Sequence, residues 1–431
     1  MKSADLVVSN CNQLLTCRSS LPKRKKDLQD LQILEKGCIA SYKGRIIFIG
    51  HERELNKEVT LEKNGLWING KGLTAVPGLV DSHTHLPFGG SREEEFLLRL
   101  NGYTYQQLAQ KGMGIKSTVE STRKIPENEL FELCLSRLDS MLRHGSTTVE
   151  AKSGYGLNEK DEIKQLKVLK ALHRAHPVDI VSTFMGAHEV PREFKSKKRE
   201  YMNLLIQRIL PQIKKNNLAE FFDIFCEQGV YSLEETRELV KAAQKAGFPI
   251  KIHTDEFVPL GGTNLAVKEK AVSAEHLIAI TQKGIDLISK SNTVATLLPA
   301  VPFFLMQEKK PPARQLIENG AIVALASDFN PGSSMTESMF FVIQLAVFTL
   351  KMRIEEAINA ATINAAYAIK REQEIGSLEL GKKMDLLLCE VPNYAHLVYH
   401  MGINPVQHVI KNGKLVVQDR LLVRDPKESH T

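Results

Sequence analysis

Eight short apolar runs, each breaking into polar residues at its C-terminal end, recur through the middle of the chain. They read LTAVPGLVDSHTH, STTVEAKSGYG, DIVSTFMGAHE, EFFDIFCEQGV, FPIKIHTDE, AVSAEHL, NTVATLLPA and AIVALASDFNPG. Between them lie stretches with apolar residues at helical spacing, such as EKDEIKQLKVLKALHRA and LEETRELVKAAQKAG. Parallel strands need long crossovers, so eight such units predict an α/β fold, a (β/α)8 TIM-type barrel over residues 75–377. Its chemistry is then expected at the C-terminal ends of the strands. The flanks, 1–74 and 378–431, hold short strand-like pieces with turn signals at Gly381 and Asn412-Gly413. Neither flank can bury a core alone, so together they predict one composite β-sandwich domain. Between His85 and Gly145, REEEFLLRL, TYQQLAQKG and ENELFELCLSRLDSMLRHG predict helices over the barrel mouth.

Composition narrows the function classes. At 43% apolar and 25% charged residues the chain is globular, and no apolar run approaches a membrane span. The start, MKSADLVVSNCNQ, lacks the apolar core of a signal peptide. Six scattered cysteines without a CxxC pair predict a reducing compartment, the cytosol. The net charge of +7 includes two basic runs, PKRKKD and FKSKKRE, but no aromatics interleave with them as stacking platforms. The expectation is therefore no nucleic-acid and no membrane partner; a mild positive field suits a small anionic substrate.

Of 13 histidines, His83, His85, His188, His253 and His276 fall at or just past the ends of predicted barrel strands, and Asp328 ends the eighth. His144, His173, His176, His51, His396, His400, His408 and His430 lie on helices or in the flanks and read as structural or solvated. His83 and His85, two apart on a strand, share a face. An H-x-H pair, a third imidazole from a distant strand and a carboxylate form a nitrogen and oxygen ligand set suited to one zinc or iron ion.

VPGLVDSHTHLPFGG resembles the first-strand signature of the amidohydrolase superfamily. The longer set HTHLPFGGSREEEF, EAKSGYGL, TFMGAHEVP, HTDEF, SAEHL, PPARQLIENG and LASDFNPGSS resembles the branch of it that opens imidazolone rings in histidine breakdown. The resemblance implies a single metal held by His83, His85, His253 and Asp328, and hydrolysis of 4-imidazolone-5-propanoate to N-formimidoyl-L-glutamate. Superfamily members with two metals bridge them by a lysine on the fourth strand. Lys152 falls on the second, so it is expected as an ion-pair partner of Glu227 or of the substrate.

The roles follow from what ring hydrolysis needs. His276 is expected as the base that orients the water, with Asp328 and Glu256 as further proton carriers. His188 is expected against the substrate, and Glu256 near the ring nitrogens. Arg92 offers a planar fork for the propanoate carboxylate, joined by Tyr155. Asn330, Gly332 and Ser333 can present donors on the turn after Asp328. One rival is an aminohydrolase acting on another heterocycle, which has no need of Arg92 beside a carboxylate. The other is a non-catalytic scaffold, which has no need to keep the ligands. The apolar stretch SMFFVIQLAVFTLKM exceeds what one barrel helix must bury and predicts a homodimer.

Overall fold

The computed structural model describes residues 1–103, 107 and 113–423. All eight runs contain strands, at Leu79–Thr84, Ser146–Lys152, Asp179–Ala187, Phe221–Cys226, Ile250–Thr254, Ser273–His276, Val294–Leu297 and Ile322–Leu325. They lie side by side in sequence order, each parallel to the last. The sheet closes past the end of the eighth strand, where Thr84 bridges Phe329 in parallel. There Asp328 N donates to the His83 carbonyl at 3.1 Å and His85 N donates to the Phe329 carbonyl at 3.0 Å.

Helices surround the barrel because their sequences carry both a buried stripe and a start signal. Asn158, Ser232 and Thr281 cap three of them, each side chain accepting from a backbone N–H three residues on. Such a cap contributes about 1 kcal/mol. The base of the barrel is apolar: Val80, Val181, Phe221, Val294 and Ile322 pack against Ala365, Ala366 and Ile369 of a C-terminal segment.

Two expectations are corrected. The first run was read as one strand from 73 to 85, but Thr74–Pro77 pairs with the terminal sheet and only Leu79–Thr84 enters the barrel. Gly78 marks the break; a Cβ there would lie 2.3 Å from Thr147 Oγ1. The helix Glu127–Arg143 packs on the second strand and on the helix Glu159–Ala175, as a crossover outside the barrel rather than a cover for its mouth. Glu93–Leu100 is a helix as expected, while most of TYQQLAQKG lies outside the described residues.

The terminal segments join in one nine-stranded sheet, with Thr74–Pro77 seated between Lys2–Leu15 and Leu386–Cys389. Leu6, Val8, Leu14 and Ile39 share a core with Leu386, Leu388 and Ile410, so each terminus supplies what the other cannot bury. Residues 424–431 lie outside the described residues. Among the described residues no helix is long and apolar enough to cross a membrane.

A charge cluster, buried at Lys411 and Asp385 and half-buried at Asp179 and Lys383, clamps the sheet to the barrel. Lys411 Nζ lies 2.6 Å from Asp385 Oδ2 and 2.8 Å from Asp179 Oδ2, and Lys383 Nζ is 3.0 Å from the same Asp179 oxygen. Burial opposes the charge on Asp179, but Lys411 and Lys383 outweigh it and lower its pKa. Its contribution is thus present above the ordinary carboxylate value of 3.8 and is lost as pH falls through the depressed folded value. Lys411→Met leaves two carboxylates without their shared cation and is expected to cost about 3–5 kcal/mol, read by urea unfolding at neutral pH. Unchanged stability would show that the clamp holds nothing.

Candidate metal centre and substrate cavity

At the C-terminal end of the barrel three imidazoles and a carboxylate point at one another. His85 Nε2 is 3.3 Å from both His83 Nε2 and His253 Nε2, and Asp328 Oδ1 is 3.1 Å from His83 Nε2 and 3.4 Å from His85 Nε2. Tetrahedral ligands bonded to zinc at about 2.0–2.1 Å sit about 3.3–3.4 Å apart. These four separations match that spacing, His83, His85 and His253 together could hold a metal ion, as could His83 and Asp328 with His276, and all of these side chains are buried. Asp328 Oδ2 accepts from Ser333 Oγ at 2.7 Å, while Oδ1 faces the His83 and His85 rings. One carboxylate oxygen is anchored and the other left for a cation.

Burial opposes a proton on His83, yet Glu275 and Asp328 outweigh it and push that group up to about 9. Burial lowers His85 to about 4 and also lowers His253, so both rings stay neutral and keep a lone pair for a cation. Asp328, despite burial, is held well below the usual carboxylate range by His83 and His85. Its backbone has φ of 54°, in the left-handed region that costs a non-glycine residue strain. His276, at φ of 75°, is another such position.

Above this cluster opens a cavity of about 590 Å³, small-molecule sized, lined by His85, His253 and Asp328. Arg92, Tyr155, His188, Glu256, His276, Asn330, Gly332 and Ser333, predicted to touch substrate, line it too, but Lys152, predicted to pair with Glu227 or the substrate, does not. None of the eight histidines read as structural does so among the described residues; His430 lies outside them. His276 Nε2 stands 3.7 Å from Glu256 Oε2. Burial, then the nearby Asp328 and Glu227, raise Glu256 well above the carboxylate range, while burial lowers His276 and His188 well below ordinary histidine. Burial thus favours the uncharged form of both side chains. The His188 ring stacks on His85 at 4.9 Å, its Nδ1 3.1 Å from the Gly154 carbonyl. The Tyr155 hydroxyl is buried without a hydrogen-bond partner.

Arg92 is more constrained than its sequence context suggests. Its Nε and Nη2 donate to the two Glu95 oxygens at 3.0 and 2.6 Å, so Glu95 does more than begin a helix. The remaining arm, Nη1, lies over Gly332, where a Cβ would come within 1.9 Å of it. Gly332 is open for that arm. Asn330 Oδ1 is taken by Gly332 N at 2.9 Å, leaving its amide group toward the cavity.

Lys152 does not meet Glu227, which instead accepts from Phe257 N at 2.9 Å. Its ammonium sits 2.8 Å from Glu150, 2.8 Å from Asp223 and 3.2 Å from Glu275, all fully buried. Burial opposes its charge, but Asp223, Glu150 and Glu275 together raise its pKa above the ordinary lysine value. Two of these acids back the metal cluster: Glu275 Oε2 is 2.5 Å from His83 Nδ1 and Asp223 Oδ1 is 3.0 Å from His253 Nδ1. Reading from the sequence passed over Glu150, Asp223, Glu275 and Lys251. The available signal was the presence of ionisable residues inside otherwise apolar strands, where nothing but a partner can hold them.

Residues 74–416 match the amidohydrolase family. The imidazolonepropionase of Alkaliphilus oremlandii (strain OhILAs) is 46% identical over 415 residues, 96% of this chain and 98% of that one. The imidazolonepropionase of Fusobacterium nucleatum subsp. nucleatum is 47% identical over 414 residues, 96% and 99% of the two chains. Among solved structures, an adenosine deaminase from Xanthomonas campestris with bound zinc shares the fold at a TM-score of 0.74 and 18% identity, over 99% of this chain and 96% of that one. The described cluster and the family agree on a metal ion. His253→Ala and Asp328→Asn are each expected to purify folded with metal content far below that of the wild type, measured by atomic emission. A full complement in either variant would contradict the cluster as the binding site.

Proposed function

The chain belongs to the imidazolonepropionase family of the amidohydrolases, and from that premise we propose how its residues hydrolyse 4-imidazolone-5-propanoate to N-formimidoyl-L-glutamate in histidine degradation. It is a metal-dependent hydrolase acting on the carbon–nitrogen bond of a cyclic amide. The observation that carries the reading is the approach of His83, His253 and Asp328 to His85, and of Asp328 to His83, at 3.1–3.4 Å beneath a cavity that also holds Arg92, His276 and Glu256.

His83, His85, His253 and Asp328 would hold one zinc or iron ion. Bound there, it would supply Lewis acidity and lower the pKa of a water to about 7. His276, neutral in its buried position, takes a proton from the attacking water, which adds to the ring carbonyl carbon. Glu256, protonated and 3.7 Å from His276, faces the ring nitrogens and gives a proton to the nitrogen that leaves. The proton that His276 took then restores Glu256, so the pair returns to its starting state, while Asp328 is anchored through Ser333 as a ligand. His188, fixed by the Gly154 carbonyl, lies along the ring. The Nη1 arm of Arg92, the Tyr155 hydroxyl and the amide of Asn330 receive the propanoate carboxylate, with Gly332 and Ser333 shaping that side.

The barrel that begins at Leu79 carries this chemistry, beside the composite sheet into which Thr74–Pro77 pairs. The six cysteines, all buried and unpaired, support a cytoplasmic setting. The helix Met339–Leu350 buries most of its apolar surface inside the chain, but Phe348, Tyr399, Met401 and Ile403 remain exposed and support a homodimer.

The test is turnover of 4-imidazolone-5-propanoate by the purified chain. Arg92→Ala is expected to raise KM with a smaller effect on kcat, and Gly332→Ala to follow it by displacing Nη1. His276→Asn is expected to lower kcat by about 10²–10⁴-fold. A wild type that leaves this ring intact, or an Arg92→Ala variant with unchanged KM, would overturn the reading.

A further inference from the structure

The Lys152 ammonium donates to Glu150 Oε1 at 2.8 Å and pairs by charge with Asp223 Oδ2 at 2.8 Å and Glu275 Oε2 at 3.2 Å. The three acids come from the second, fourth and sixth strands, so one side chain ties three sectors of the barrel interior. Asp223 and Glu275 each reach a ligand imidazole from behind, at His253 Nδ1 and His83 Nδ1. A ligand imidazole that gives its Nδ1 proton to a carboxylate presents a fixed, more basic Nε2.

We propose that Lys152 is a positioning residue of the metal centre, holding the carboxylates behind His83 and His253 so that both imidazoles turn Nε2 to one point. The proposal rests on the ligand set assigned above. Asp223 is held at both oxygens, by Lys152 on Oδ2 and His253 on Oδ1, and so cannot rotate away. Glu275 is gripped likewise, with Lys251 Nζ 2.9 Å from Oε1 and Lys152 on Oε2. Lys251 alone already offers Glu275 a counter-charge; what Lys152 adds is one cation shared between the two backing acids.

A simpler role for Lys152, neutralising buried acids so that the barrel folds, predicts a different result. Lys152→Met tests both roles, together with Lys152→Met/Glu150→Gln, which removes one charge of each sign and keeps the overall balance. The metal-free wild type and variants are titrated with Zn²⁺ against a chelator, loaded with Co²⁺ for a visible spectrum, and unfolded in urea. The positioning role predicts Zn²⁺ affinity lowered about 10–100-fold and an altered Co²⁺ spectrum in both variants, even where the double variant regains stability. Folded variants with wild-type affinity and spectrum would overturn it. Failure of both to fold would assign Lys152 to folding and overturn it as well. If the ligand assignment itself is wrong, the difference shows elsewhere: the wild type would not take up one equivalent of Zn²⁺.

Discussion

The backbone seam that closes the barrel also sets the spacing of His83, His85 and Asp328 in the candidate metal centre. Asp328 N donates to the His83 carbonyl and His85 N donates to the Phe329 carbonyl, at 3.1 and 3.0 Å. The carboxylate and the two imidazoles of the H-x-H pair are therefore neighbours through main-chain hydrogen bonds, before any side chain is considered. Asp81 strengthens the same seam by accepting from Ser327 N at 3.0 Å, one residue before Asp328. His253 arrives from the fifth strand, across the barrel interior, so its distance from His85 depends on the whole ring of strands being closed. Fold and site are one constraint here: opening the seam would separate the ligands.

The interior pays for this arrangement with charge rather than with apolar packing. Apolar side chains fill the base, but above them Glu150, Asp223 and Glu275 meet Lys152 and Lys251 with no access to water. Unpaired, any of these would cost several kcal/mol. Paired, they make a rigid platform on which two ligand imidazoles rest. The left-handed backbone at His276 and Asp328 adds strain at the same rim, and it is the closed ring that supports it.

Much of this was legible in the residues because strand ends are legible. An apolar run that stops at His, Asp or Glu shows which side chains reach the mouth, and a (β/α)8 count brings those mouths together. That reasoning placed His83, His85, His188, His253, His276 and Asp328 at one end of the barrel, and the family signature added Arg92, Tyr155 and Glu256. It could not say which interior side chains meet across the barrel, because periodicity gives the face of a strand and not its height relative to a distant one. The strand order alone therefore points Lys152 to Glu227 or the substrate, not to Glu150, Asp223 and Glu275, and gives no sign that Glu95 partners Arg92. The split of the first run at Gly78 was hidden for another reason: TAVP and LVDSHT are equally strand-like, and only the contact with Thr147 and the pairing of Thr74–Pro77 with Leu386–Cys389 separate them.

The most direct test is anomalous diffraction from crystals of the purified chain, recorded at the absorption edge of whichever metal it carries. The account predicts one peak per chain, within about 2.0–2.2 Å of Nε2 of His83, His85 and His253 and of an Asp328 oxygen. A peak elsewhere, or His253 and Asp328 turned away from the pair at 83 and 85, would contradict it.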